Sequence, residues 1–161
     1  GYVHAATDLN VVRVRPFNHS GPGQADSFVL SSFAKQIAEI EIGRRDPVLK
    51  VGNITVARDF THVADVVDAY ALLLNAGRAG EAYNVCSGNA VALKTILDKL
   101  FAMSDKKIEV AVDPERVRKI DIPEVRGSHE KLSTDTGWIP ARSNDDLLAD
   151  LLKYWRGELA R

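Results

Sequence analysis

The chain has 161 residues, 45% of them hydrophobic and 27% charged, and its 21 basic and 22 acidic side chains leave a formal charge of −1. That length suits one ordinary domain or one half of a larger unit, and the even charge gives no basis for a nucleic-acid or membrane partner. A single cysteine, Cys86, rules out an internal disulfide and fits a reducing, cytoplasmic compartment, and the opening GYVHAATDLN lacks the layout of a signal peptide.

Residues 2–8 read as the tail of a helix whose beginning precedes the chain, because no capping residue stands ahead of Tyr2. Residues 10–15 are rich in β-branched side chains and predict a strand that stops at Pro16 and runs into the polar loop RPFNHSGPGQ, residues 15–24. From Asp26, the spacing of Phe28, Val29, Phe33, Ile37, Ile40 and Ile42 predicts a helix of about four turns that stops at Gly43. PVLKVGN and VARDFTHV follow as two strand-like pieces around a turn at Gly52-Asn53.

A second helix over 62–77 places Val63, Val66, Val67, Tyr70, Leu73 and Leu74 on one face, with Asp65 and Asp68 in its early turns where the helix dipole favours them. Residues 81–86 predict a strand turning at Ser87-Gly88-Asn89, residues 92–103 an amphipathic helix, and KIEVAVD another strand. A polar, irregular stretch from Pro114 to Gly127 precedes a short helix ending at Gly137. The last helix, from about Asn144 to Trp155, buries Leu147, Leu148, Leu151, Leu152 and Trp155. The alternation predicts a mixed α/β fold without repeats or linkers, and the one internal change of character falls after Gln24.

Several motifs point to chemistry. Gly21-Pro22-Gly23, between a strand and a helix, has the outline of a dinucleotide-binding turn, but Pro22 offers no N–H to a pyrophosphate and Asp26 stands where the third glycine belongs. Asn18 and His19 in that loop can serve a polar ligand at the carboxyl end of a strand, or can belong to a plain surface turn. Arg58 suits either a phosphate clamp or an ion pair with Asp59 or Asp65. Arg116, Arg118 and Lys119 form either a second anion contact or a solvated charge run. The four histidines and Cys86 have no metal-ligand spacing, no nucleophile elbow or phosphate-binding Gly-x-x-x-x-Gly-Lys is present, and Cys86, Tyr70 and Trp138 read as packing residues.

Taken in order, VVRVRPFNHSGPGQ, LKVGNITVARDFTHVADVVDAYALLL, GEAYNVCSG, RVRKIDIPEVRGSHEKL and TGWIP resemble the C-terminal half of the extended short-chain dehydrogenase/reductase family, also called the NAD-dependent epimerase/dehydratase family. Within it they look most like the GDP-6-deoxy-4-keto-mannose reductases and GDP-mannose 4,6-dehydratases, over about residues 2–156.

The resemblance implies the C-terminal portion of an extended Rossmann-type fold. Residues 1–24 would end the nucleotide-binding sheet, and 25–161 would form a smaller mixed α/β substrate-binding portion. It implies that Phe17 and His19 meet the nicotinamide half of NADP or NAD, and that Asn18 meets the sugar nucleotide. It further implies that Arg58, Arg118 and Asp121 hold the diphosphate and ribose of GDP, while Lys35, Val51 and Asn53 line the nucleotide pocket. Lys119 and Ser128 depart from the Pro and Asp frequent in the family at those places.

The implied reaction is reduction of the C4 ketone of GDP-4-keto-6-deoxy-mannose to GDP-rhamnose, with dehydratase or epimerase chemistry as alternatives in the same family. A stand-alone binding module and a truncated fragment are the alternatives outside it. The family's glycine-rich cofactor turn and its Tyr followed four places later by Lys are not in this chain. Tyr2, Tyr70, Tyr83 and Tyr154 are followed at that spacing by Ala6, Leu74, Ser87 and Glu158. The main cofactor site is thus expected outside this chain, the chain is expected to be inactive alone, and the complete protein is expected to be a homodimer.

Overall fold

A computed structural model describes residue 6 and residues 9–117 and 120–161. The predicted helix tail over 2–8, apart from residue 6, and Arg118 lie outside the described residues. In chain order the elements are β1 (Arg13–Pro16), β2 (Asn18–Ser20), α1 (Val29–Glu41), β3 (Val48–Val51), β4 (Ala57–His62), α2 (Val63–Ala76) and β5 (Ala82–Val85). They continue with β6 (Ala90–Ala92), α3 (Leu93–Ala102), β7 (Glu109–Val112), a 3₁₀ turn (Pro114–Arg116), β8 (Glu124–Val125), α4 (Glu130–Thr136) and α5 (Asn144–Leu159).

Among the described residues the strands form three small sheets. β1 pairs β5 in parallel, with Val14 opposite Tyr83, and β3 pairs β7 in parallel. The third sheet centres on β4, which pairs β2 and β8 in parallel and β6 antiparallel. The sequence reading of 15–24 as loop needs correction, because Asn18, His19 and Ser20 form a short strand opposite Phe60, Thr61 and His62. β1 does end at Pro16, paired with Val85, and Phe17 is the crossover: its amide donates to Val85 O at 2.9 Å before the chain joins β4. The chain therefore leaves one sheet and enters another within two residues, which fixes the direction of Asn18 and His19.

Parallel pairs need cover on their faces, and helices supply it. In the larger core, Leu30, Phe33 and Ile37 of α1 pack with Ile96, Leu97 and Leu100 of α3 and Leu147, Leu148, Leu151 and Leu152 of α5, around Leu49 and Val51 of β3. The apolar stripe of α1 is narrower than its spacing suggests: the helix starts at Val29, and Phe28 and Ile42 stand at its two caps, 57% and 51% exposed. α5 begins at a capping box in which Ser143 and Asp146 satisfy each other's amides, and it runs one turn beyond Trp155.

The second core joins Val66, Ala69 and Leu73 of α2 to Tyr83, Val85, Leu132 and Trp138. Here the expected face of α2 is only half right. Val67, Tyr70 and Leu74 are exposed, Leu74 by 88%, because β5 and α4 cover only the side that carries Ala69. Tyr70 is accordingly not a packing residue, whereas Trp138 is: its indole Nε1 donates to Asp65 O at 3.0 Å in the interior.

Among the described residues, no helix is long and apolar enough to cross a membrane.

Candidate functional site

A cavity of about 660 Å³ opens where β2, the start of α1, the turn after β3, β4, Arg116 and Asp121 converge. Of the residues singled out from sequence, Phe17, Asn18, His19, Val51, Asn53, Arg58 and Asp121 line it together. They come from four separate stretches of chain, so only the tertiary fold makes them neighbours.

Phe17, Asn18 and His19 form one wall because β2 leaves β1 at Phe17. His19 Nδ1 lies 2.9 Å from Phe17 O; a carbonyl only accepts, so the ring donates from Nδ1, and in the neutral ring Nε2 is left as an acceptor. The polar composition of the loop also has a local use. Gln24 folds back, its Oε1 accepting from Ser20 Oγ at 2.5 Å and its Nε2 donating to His19 O at 3.0 Å, which closes the end of β2.

Arg58 leaves β4 toward the opposite wall. Its Nη1 donates to Ala57 O and Ile122 O at 2.8 and 2.7 Å, and its Nη2 donates to Asp121 Oδ1 at 2.5 Å. Both side chains of the ion pair are about five-sixths buried, at 15% and 16% exposed. The partner is thus Asp121 and neither Asp59 nor Asp65, the two expected for a structural ion pair; Asp65 is taken by Arg142 at 2.5 Å. These bonds leave the Nε–H and one Nη2–H of the guanidinium to donate to an anion in the cavity.

Asn53 caps its own turn, its Oδ1 accepting from the amide and hydroxyl of Thr55 at 3.0 and 2.8 Å, which leaves the Nδ2 donors for the cavity. Val51 is fully buried and contributes floor. Lys35 is not among the lining residues. Its ammonium is spent on Asp26 at 2.5 Å, with Glu39 at 3.8 Å and the Trp155 ring 5.3 Å away. The hydrogen bond to Asp26 raises the Lys35 pKa, and the same bond holds the Asp26 carboxyl below its ordinary value.

Arg116, which the sequence offers as either an anion contact or a solvated charge, also lines the cavity; it donates from Nη1 to Ser32 Oγ at 3.2 Å, and its Nε lies 3.4 Å from Asp113. Nothing in the sequence assigns Ser32, Gly52 or the other apolar lining residues to the site. Ser32 was legible in principle as a small polar residue one turn after Phe28, on the side of the helix that also carries Lys35 and Gln36. Gly52 lets the turn after β3 touch the Arg116 backbone; a Cβ there would stand 2.4 Å from Arg116 O. Phe28, Val29, Phe33, Val56 and Leu93 add apolar lining to the same cavity as Asn53 and Arg58. A cation, an apolar lining and a wall carrying His19 can together accommodate a ligand that is part flat ring and part anion.

Cys86 takes no part in chemistry. Burial, reinforced by the nearby Asp59, pushes its thiol up to about 11, so it stays protonated and unreactive.

The sequence profile of the GDP-mannose 4,6 dehydratase family matches residues 2–151. The GDP-6-deoxy-D-mannose reductase of Pseudomonas aeruginosa is 42% identical over 149 residues, covering 92% of this chain and 49% of that protein. The GDP-mannose 4,6-dehydratase of Sinorhizobium fredii is 26% identical over 164 residues, covering 88% and 46%. A solved structure described as RMD of Pseudomonas aeruginosa complexed with NADPH superposes with a TM-score of 0.92 at 39% identity, over 98% of this chain and 52% of that one. A dTDP-glucose 4,6-dehydratase from Bacillus anthracis in complex with NAD shares the fold at 21% identity and a TM-score of 0.80. The chain spans about half the length of the relatives it matches, and its fold is the C-terminal portion of their extended Rossmann-type architecture. With the profile match spanning nearly the whole chain and a relative 42% identical over 92% of it, this chain belongs to the GDP-mannose 4,6-dehydratase family.

Proposed function

We propose that this chain is the sugar-nucleotide-binding portion of a cytoplasmic reductase that converts the C4 ketone of GDP-4-keto-6-deoxy-mannose to GDP-rhamnose. The observation that carries the reading is the cavity itself, in which Arg58 and Asp121 meet and which also has an apolar lining. The apolar lining takes the guanine ring, the remaining donors of Arg58 take the diphosphate, and Asp121 takes a ribose hydroxyl. Arg118, next to this segment in sequence, adds a second cation. The reductase reading is preferred to the dehydratase reading because the reductase of Pseudomonas aeruginosa is 42% identical and the dehydratase of Sinorhizobium fredii 26%.

The wall formed by Phe17, Asn18 and His19 suits the nicotinamide end of NADPH or NADH, since an Nε2 acceptor matches a carboxamide N–H and the Phe17 ring offers an apolar face. A bound nicotinamide supplies the hydride for the reduction. This chain's residues bind and orient: Asn18 holds the sugar near that wall, and Arg58 fixes the diphosphate so that the reacting carbon cannot drift. The proton relay and the main cofactor site belong to a preceding portion with its own Tyr and Lys. Residues 1–24 end that nucleotide-binding portion, this chain alone is inactive, and the complete protein is a homodimer.

Calorimetric titration of the chain with GDP, using UDP and ADP as competitors for the cavity, tests the reading. Selective binding of GDP is expected. Equal binding of all three, or none by a folded sample, would contradict a guanine-selective site within this segment.

A further inference from the structure

Arg58 and Asp59 are consecutive on a strand, so their side chains leave on opposite faces. Arg58 enters the cavity, and Asp59, which no step of the proposed reaction uses, is completely buried. A buried carboxylate is costly unless its oxygens are satisfied, and here they are satisfied four times. Oδ1 accepts from the amide and the hydroxyl of Ser87 at 2.9 and 2.6 Å, and Oδ2 accepts from the amides of Gly88 and Gly127 at 3.0 and 3.1 Å. Every partner donates, which is the pattern an acceptor-only carboxylate completes and a carboxamide cannot.

The segments tied to Asp59 are parts of the site. Residues 120–127 form an arm that carries Asp121 into the cavity. Its early part is held by Arg58 through Asp121 and Ile122 O. Its middle pairs with β4, Val125 opposite Arg58, and Pro123 O accepts from the Ala57 amide at 2.8 Å. Its far end is held by Asp59 through the Gly127 amide. That amide lies against the cavity wall as well, because a Cβ on Gly127 would stand 2.6 Å from Cys86 Sγ and 2.8 Å from Phe17 Cζ. A larger residue there would push on the ring that lines the cofactor side. One carboxylate therefore sets the turn after β5, the end of the arm and the seat of the Phe17 ring.

We propose that Asp59 is a positioning residue for the nucleotide site, acting through Gly127 and the Ser87-Gly88 turn to hold Asp121 against Arg58 and the Phe17 ring against the cavity. This rests on the reading of the cavity as a nucleotide-diphosphate site.

The test is Asp59→Asn, which keeps shape but turns one acceptor oxygen into a donor facing other donors. In the ligand-free chain, amide exchange at Ser87, Gly88 and the 121–127 arm should accelerate by about tenfold or more, while α1 and α5 amides keep their protection. GDP affinity should fall by about tenfold or more and GMP affinity by a smaller factor, because both ligands carry the ribose that Asp121 meets but only GDP carries the diphosphate that depends on the aligned Arg58 fork. Exchange that accelerates everywhere, including α1 and α5, would reduce Asp59 to general stabilisation. Equal losses for GDP and GMP would overturn its link to the clamp, and unchanged arm exchange would overturn the latch itself.

Should the wild-type chain not bind GDP, the functional reading fails while the exchange experiment, which needs no ligand, still decides the latch. Should Asp59→Asn fail to fold, Ser87→Ala removes one donor and leaves three amides on the carboxylate; the same local pattern is expected at about threefold, and its absence counts against the proposal.

Discussion

The α1–α3–α5 core and the wall of the cavity are built by different physics. The core is a set of leucines, isoleucines and phenylalanines that repeat along each helix and are at most a few per cent exposed. The wall is held by polar bonds, several of them between residues more than sixty positions apart, such as Arg58 to Asp121 and Asp59 to Gly127. Apolar contacts are non-directional and tolerate small shifts, so the core can be rigid without specifying any one side chain's angle. Hydrogen bonds to charged groups are directional, and losing one partner strands the other in the interior. The core should accordingly govern stability, and the wall should govern recognition.

The largest test of that division is in the core. Leu148 is fully buried between α1 and α3, and Leu148→Ala should destabilise the chain by about 3 kcal/mol in chemical denaturation, with GDP affinity of the folded fraction unchanged. A parallel loss of affinity would show that the core and the wall are not separable.

Arg58→Ala should do the reverse. Losing a charged hydrogen-bond donor to the diphosphate should weaken GDP binding by about 2 kcal/mol, and Asp121 is left without its partner. Affinity within error of wild type in calorimetry would remove Arg58 from the clamp.

The clasp between the ends of α1 and α5 sharpens the comparison, because it is a charged contact at the edge of the core. Arg156 donates to both oxygens of Glu41 at 2.7 Å and to Met103 O at 2.8 Å. The Arg156 hydrogen bond holds the Glu41 carboxyl below its ordinary 4.5. A carboxyl lowered on folding contributes its stability above the unfolded value and loses it as pH falls through the folded one. Arg156→Ala should cost about 1 kcal/mol or less at neutral pH, and the difference from wild type should vanish in denaturation well below that 4.5. A difference that persists in acid would mean packing of the arginine stem, not charge, holds the clasp.

Lys35→Ala should have the smallest effect. Its pairing with the half-exposed Asp26 predicts a stability change of about 0.5 kcal/mol and GDP affinity unaltered. A marked loss of affinity would return Lys35 to the nucleotide pocket and imply that the ammonium leaves Asp26 when ligand arrives.

The same division explains what the sequence made legible. The four-turn rhythm of α1, the leucine stripe of α5 and the left-handed Gly137 after α4 are local patterns, and each predicts its element within a few residues. Local pattern misled where burial is decided elsewhere. Val67, Tyr70 and Leu74 share the apolar character of Val66 and Leu73, but α2 presents only one of its sides to β5 and α4. β2 escaped detection for a related reason: Asn18, His19 and Ser20 have little strand propensity and are held as a strand by β4. In the site, the family resemblance gathered Asn18, His19, Arg58 and Asp121, which the structure brings to one cavity, whereas Arg116 and Ser32 meet there through a contact 84 positions apart that no local pattern encodes. In the sequence Asp59 stands out only as a partner for its neighbour Arg58, because its four donors come from segments 28 to 68 residues away.

The central claim is that the cavity around Arg58 and Asp121 is the seat of the GDP-sugar, and mapping amide chemical-shift changes during a GDP titration tests it most directly. Shifts concentrated at Gly52, Asn53, Arg58, Arg116 and Asp121 are expected, with Lys35 silent. Shifts centred on Lys35, with the cavity unmoved, would contradict that assignment.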